Sequence, residues 1–444
     1  MDQSRFEQNF IGFEEALNLA LDSVTLLPEE RCSTVDSLGR IASRDIMAIV
    51  DSPSVDSSMK DGYAVVSSDI SAATSSRSVE LKLIGVIGAG ADPEMSIGIA
   101  PGTAVRILSG SVIPKGADAV LAEEFTEERP GAVLAFADAY PGRNILCRGT
   151  DVSAGEVLVR SGAEITPARI GLLAAGGVSQ TPVVRRPRVG LLATGDEVLL
   201  PGKPIKEGKL YASNVALQEA WLRSKGIPCS IEVCGDSFDK LATAIESMLD
   251  GLDVLITSGG AWTGDRDLVV KVLDSLGWKL IFHRVRMGPG KAVGMGQIDG
   301  KIIFCLPGGP PSNEMAFFMI VLPSLLRMAG CKKHPFLQLY GRLVRDVVGQ
   351  SDWTQFVHCD LSRQNSEFHL APLDMTRRLS GMNRTRAIVK IPEGVELLES
   401  QSIVPFAALD LDGIEADVCP CPLITGPTPS ILAAHGFQTK KKST

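Results

Sequence analysis

Three stretches carry glycine beside acidic or polar residues: "ATGDEVLLPG" at 193–202, "TSGGAWTGDRD" at 257–267 and "CLPGGPPSNE" at 305–314. In the second, Ser258, Gly259, Gly260 and Gly264 let the backbone come close to a ligand with amide hydrogens directed at it. The helix beginning near Asp267 adds its positive dipole end, worth on the order of 1 kcal/mol toward an anion. Asp265 and Asp267 would repel that anion unless a divalent cation stood between them. Glycine backbone plus carboxylates is the combination expected for a magnesium–phosphate site. A structural reading stands beside it: Asp265 or Asp267 caps the following helix, and the adjacent Asp196-Glu197 pair is a solvated turn. The loops alone leave both readings open.

A second set of polar turns lies earlier in the chain. "SSMKDGYAV" holds Asp61, "RILSGSVIPKGADAV" holds Ser109, and "CRGTDVSAGEVLV" holds Arg148 and Asp151. Taken singly, each is explained as a turn.

The elements that must position these residues follow from periodicity. In "GFEEALNLALDSV" the apolar positions Phe13, Ala16, Leu17, Leu19, Ala20 and Leu21 favour one helical face, with glutamates early, where the helix dipole favours them. Residues 66–150 alternate short β-type runs with Gly, Pro and Ser turns, the pattern of a small all-β module. A helix is expected from about Thr166 to Ala175. From Pro187 strands alternate with helices of about 10–15 residues, which predicts a parallel, doubly wound sheet covered on both faces. Its ligands would sit at the carboxyl ends of the strands, where all three glycine loops lie, provided those strands are neighbours. Residues 335–410 read as strands again, and the segment from about 413 as an exposed tail.

The bulk numbers narrow the class. The 444 residues suggest about two to four domains, and a net charge of −8 gives no general reason to expect nucleic acid as a partner. The longest apolar run, at 316–330, is interrupted by Pro323 and is too short to span a membrane comfortably. Nine scattered cysteines and an acidic start without a signal-peptide core fit a soluble, cytoplasmic protein. Cys419 and Cys421 have only His435 close in sequence as a further ligand, and the five histidines show no metal-ligand spacing.

In order, "SSMKDGYAV", "RILSGSVIPKGADAV", "CRGTDVSAGEVL", "RRPRVGLLATGDEVLLPG", "VLITSGGAWTGDRDLV", "GPGKAVGMG" and "CLPGGPPSNEMAF" resemble the molybdopterin molybdotransferase family. This is the MoeA group, whose eukaryotic relatives include the gephyrin E domain. The resemblance runs from about residue 10 to about residue 410. It implies a homodimer of four-domain chains: a discontinuous helical and linker domain at 10–46 with 155–186, an all-β domain at 47–154, an α/β molybdopterin-binding domain at 187–330, and a C-terminal β-barrel-like domain at 331–412, followed by the tail 413–444. It further implies a cleft between the third and fourth domains of one subunit and the second domain of the other. The implied activity is Mg2+-dependent insertion of molybdate into adenylyl-molybdopterin with release of AMP, the last step of molybdenum cofactor biosynthesis. A molybdopterin adenylyltransferase and apo-molybdoenzymes are the implied partners. The pterin brings its own sulfur ligands, so no protein thiolate is needed.

Carried over position by position, Asp61, Ser109, Asp151, Glu197, Asp236 and Asp267 stand at the family's active-site positions, with Glu197, Asp236 and Asp267 expected to bind Mg2+. Ser258, Gly259, Gly260, Gly264, Lys291, Pro307 and Pro310 are expected to contact phosphate or pterin. The chain departs from the pattern at Gly288, where a lysine is usual, at Gly309, where asparagine is usual, and at His358, where arginine is common. The family's serine falls near Thr376, or Ser380 if the register slips by four. Arg286, Arg377 and Arg378 are placed in sequence to compensate. Two alternatives follow: a tungstate-inserting variant, and a non-catalytic carrier of molybdopterin or finished cofactor.

Overall fold

The computed structural model describes residues 10–92, 97–259 and 268–412. The chain divides into two compact units. One joins the described residues up to Val24 with Pro187–Leu325 and the residues from Lys333; the other holds Thr25–Arg186 with Leu326–Lys332. The units do not follow the four expected segments one for one. The helix Phe13–Asp22 lies in the unit of the α/β sheet, with the Phe13 ring edge-on to Phe356 at 5.0 Å.

In that unit a six-stranded sheet runs in the order Cys229–Cys234, Val189–Thr194, Val254–Ser258, Lys301–Leu306, Gly294–Ile298, Lys279–His283. The first four strands are parallel, as expected. The Gly294–Ile298 strand runs antiparallel to both of its neighbours, which corrects the expected all-parallel sheet. The physical reason is local: Asp299 (φ 48°) and Gly300 (φ 78°) form a two-residue hairpin turn, so the Lys301–Leu306 strand returns beside its predecessor. Val189–Thr194 and Val254–Ser258 are buried at every residue, which is why they read as unbroken apolar runs. Helices Phe238–Leu249 and Leu268–Ser275 share a core with Leu192, Leu255, Ile303 and Cys305. The helix Ser213–Ser224 packs against Pro310–Ala316, and its Trp221 meets Phe318 and Phe336 edge-on. Beyond Ala316 the helix widens into a π segment, Phe317–Val321, just before Pro323, whose missing N–H leaves the regular ladder incomplete.

The same unit holds a barrel. Strands Thr354–Gln364, Glu367–Pro372, Leu337–Leu343, Ile403–Ala408 and Ala387–Ile391 pair in turn, and the last returns to the first. Leu343, Leu361, Leu370, Val389 and Phe406 fill its interior. Val285–Gly288, from the α/β segment, pairs in parallel with the Thr354–Gln364 strand.

The second unit contains the all-β module, ordered Ala119–Ala122, Gly62–Val65, Thr103–Ile107, Val79–Ile87, Ala132–Ala135, Thr126–Arg129 around Tyr63, Leu81, Leu121 and Val133. It also contains the helix Pro167–Ala175, where the Arg169 amide donates to the Thr166 hydroxyl at 3.3 Å. Thr166→Ala removes that cap, and a loss of about 1 kcal/mol is expected in urea unfolding. An unchanged midpoint would show that the cap contributes nothing. Among the described residues no helix is long and apolar enough to cross a membrane.

Candidate active site

The strand order brings the glycine loops together. Val189–Thr194 lies between Cys229–Cys234 and Val254–Ser258, and Lys301–Leu306 is next in line. The loops opening at Gly195, Gly235, Gly259 and Pro307 therefore leave one carboxyl edge side by side. Two of these glycines are required. Gly195 has φ 134°, and a Cβ there would lie 2.6 Å from a Glu197 carboxylate oxygen. Gly259 has φ 104°, and its Cβ would lie 2.9 Å from the Thr194 carbonyl. The Gly259 amide is not free for a ligand, since it donates to the Leu306 carbonyl at 3.1 Å.

The acids at this edge are tied to one another. The Asp236 amide donates to Asp196 Oδ1 at 3.0 Å, and the Asp196 amide to Asp236 Oδ2 at 3.4 Å. Lys209 donates to the Asp196 carbonyl, and Leu210 to that of Glu197. Asp196, Glu197 and Asp236 are exposed. Burial pushes the thiol of the neighbouring Cys234 up, and Glu232 adds to the shift. The acids at this edge offer hard carboxylate oxygens, the set that suits Mg2+, an ion that keeps several waters and takes one or two carboxylates. Among the described residues no three His, Cys, Asp or Glu side chains converge. Gly260, Gly264, Asp265 and Asp267 lie outside the described residues, so the expected third acid does too.

At the next loop Ser258 receives the side-chain amides of Asn214 and Asn313. Pro307 offers its carbonyl to Asn313, and Pro310 opens the helix Pro310–Ala316. Lys291 is exposed beside this segment, its carbonyl accepting from the Val285 amide at 3.0 Å. A cavity of about 390 Å³ is lined by Gly288, Pro311, Gln355, His358 and Met375. Two of the departures from the family pattern therefore face one space. His358 is not an exposed stand-in for arginine. It is 3% exposed, with Nε2 at 3.0 Å from Glu314 Oε2. Of the three arginines expected to compensate, Arg286 is engaged by Glu393 and the Phe10 carbonyl, whereas Arg378 lies 3.9 Å from where a Gly309 Cβ would stand.

In the other unit the Ser109 amide donates to Asp61 Oδ1 at 2.6 Å, so those two positions meet. Asp61 and Ser109 flank the short strand Ser57–Ser58, which pairs with Ile145–Leu146 and bridges to Val112, whereas the Asp151 amide donates to the Ser52 carbonyl at 3.0 Å. Arg148, next to Asp151's loop, is held by Asp51 at 2.6 Å and, through its amide, by Asp56 at 2.8 Å. The Ala154 amide, and then Arg148, hold the Asp51 carboxyl below the usual carboxylate range. Asp51, Asp56, Asn214, Gln218 and Asn313 were not marked by the sequence. Asn214 and Gln218 carried a readable signal: two amides four residues apart on a helix beside the glycine loops.

Comparison with known proteins supplies the context for this arrangement. Residues 11–177 match a family described as MoeA N-terminal region (domain I and II), and residues 190–327 one described as probable molybdopterin binding domain. The chain is 32% identical over 372 residues to the molybdopterin molybdenumtransferase of Bacillus subtilis, covering 82% of this chain and 86% of that one. It is 30% identical over 382 residues to the enzyme of the same name in Staphylococcus epidermidis, covering 86% and 89%. Among solved structures, the molybdopterin biosynthesis moea protein from Pyrococcus horikosii has a TM-score of 0.78 at 30% identity, covering 90% of this chain and 99% of that one.

Proposed function

The chain belongs to the molybdopterin molybdenumtransferase family, and from that premise we propose that it inserts molybdate into adenylyl-molybdopterin with release of AMP and with Mg2+ required. One observation carries the reading: four neighbouring parallel strands end at one edge, which bears Ser258 at a strand end and Glu197, Asp236 and Pro307 in the loops that follow. A phosphate-linked pterin needs oxygen-directed donors at its phosphates and carboxylates for a counter-cation, and this edge offers both. Glu197 and Asp236 would hold Mg2+, with Asp267 as the expected third acid; when bound, the ion neutralises charge on the phosphoanhydride. Ser258 donates to a ligand oxygen, and Lys291 supplies positive charge nearby. No protein thiolate is assigned a role, as suits a substrate carrying its own sulfur ligands.

Asp61, Ser109 and Asp151 belong to the other unit, and the proposal assigns them to the same reaction across a homodimer of four-domain chains. The Ser109 amide keeps the Asp61 carboxylate oriented, and the charge of Asp61 and Asp151 would shape the oxyanion pocket.

The test is AMP release from adenylyl-molybdopterin and Mg2+, measured with molybdate and with tungstate in parallel. Release that depends on an oxyanion is the expected result, and the preferred oxyanion separates the molybdate from the tungstate variant. Tight binding without release under either oxyanion would overturn the transferase reading in favour of a carrier.

A further inference from the structure

Ser258 closes its strand with 6% exposure, and two side-chain amides reach its hydroxyl oxygen: Asn214 Nδ2 at 3.1 Å and Asn313 Nδ2 at 3.0 Å. Each amide is fixed by other contacts. Asn214 Nδ2 also donates to the Gly308 carbonyl at 2.9 Å, and Asn313 Nδ2 to the Pro307 carbonyl at 2.8 Å. Asn313 Oδ1 accepts from Gln218 Nε2 at 2.7 Å. Turning either asparagine round would set its oxygen against a backbone carbonyl oxygen, so both present N–H groups to Ser258. A serine hydroxyl has two acceptor positions and one proton. With both acceptor positions filled, Ser258 is left only as a donor, and among the described residues no hydrogen bond takes its proton. Two donated bonds also polarise the hydroxyl and strengthen it as a donor, which favours a charged acceptor.

The supporting layer is built for this arrangement. Gln218 is fully buried, and its own Oε1 has no partner among the described residues, a destabilising feature set against the bond its Nε2 makes to Asn313. Asn313 stands one helical turn beyond Gly309, the position where the family resemblance places asparagine, and its amide reaches back to the loop at Pro307. We propose that Asn214 and Asn313 are positioning residues that make Ser258 a one-way donor to an oxygen of a tetrahedral oxyanion, either the phosphate of the pterin or the metallate. This rests on the functional reading above.

The test is calorimetric titration of the full chain with molybdopterin in one arm and molybdate in the other. Ser258→Ala is expected to weaken binding about tenfold or more in at least one arm, which identifies the oxyanion. Asn214→Ala and Asn313→Ala are expected to weaken the same ligand, with little further loss when either is combined with Ser258→Ala, because they act through that hydroxyl. Should buried Asn313→Ala fail to fold, half-buried Asn214→Ala completes the cycle. Unchanged affinity of Ser258→Ala in both arms, asparagine effects that add in full, or a wild type that binds neither ligand would each overturn the assignment. A wild type that binds but releases no AMP would sink the transferase reading and leave this one standing.

Discussion

Asp61→Asn and Asp236→Asn are each expected to lower oxyanion-dependent AMP release by about 100-fold or more, the scale of losing one preorganised charge at a reacting phosphate. Both substitutions keep a side-chain carbonyl oxygen. At position 61 that oxygen would still accept from the Ser109 amide, and at position 236 from the Asp196 amide, so the loops stay in place. The two acids lie in different compact units. If the site draws Asp236 from one subunit and Asp61 from its partner, a heterodimer of the two variants contains one intact and one doubly damaged site. Differently tagged subunits, co-expressed and purified through both tags, are then expected to recover about half of the wild-type turnover per dimer. A heterodimer as inactive as its parents would place both acids in one subunit's site and remove the shared cleft from the proposal.

Glu314→Ala is the substitution expected to affect stability most. Glu314 and His358 are 5% and 3% exposed and bonded at 3.0 Å, so truncation leaves the imidazole buried without its partner. A loss of about 3 kcal/mol is expected in urea unfolding followed by tryptophan fluorescence. Replacing both residues by leucine is expected to recover most of that loss, because the penalty lies in the orphaned polar group. A loss under about 1 kcal/mol for Glu314→Ala would show that water or a rotated side chain satisfies His358. The pair also explains the departure at this position. An arginine at 358 would set a longer, permanently charged group against Glu314, whereas histidine fits as a compact buried partner.

What could be read from local sequence was what local sequence dictates. Of the six apolar positions expected on one helical face, Phe13, Ala16 and Ala20 are buried, whereas Leu19 is exposed. Thr166 before Pro167 marked a helix start, and the helix begins there. The apolar runs at 188–193 and 254–257 marked strands, and Val189–Thr194 and Val254–Ser258 are buried at every residue. The hairpin at Asp299-Gly300 was equally legible from its turn residues, yet the alternation of strands and helices obscured it and the sheet was expected to be wholly parallel.

The sequence by itself determined the element types, the glycine turns, and which loops carry acid, because helix period, strand burial and turn chemistry act over a few residues. The seven ordered blocks also carried the family. Only the tertiary structure decided which strand ends are neighbours. Asp196 and Asp236 meet across 40 residues, Asn313 and Ser258 across 55, and Glu314 and His358 across 44. The barrel closes because Ala387–Ile391 returns to Thr354–Gln364. Contacts of this kind depend on strand order and on the shared burial of side chains from distant segments. No periodicity within one segment encodes either, so the polar partners that orient Ser258 and His358 became visible only in the folded chain.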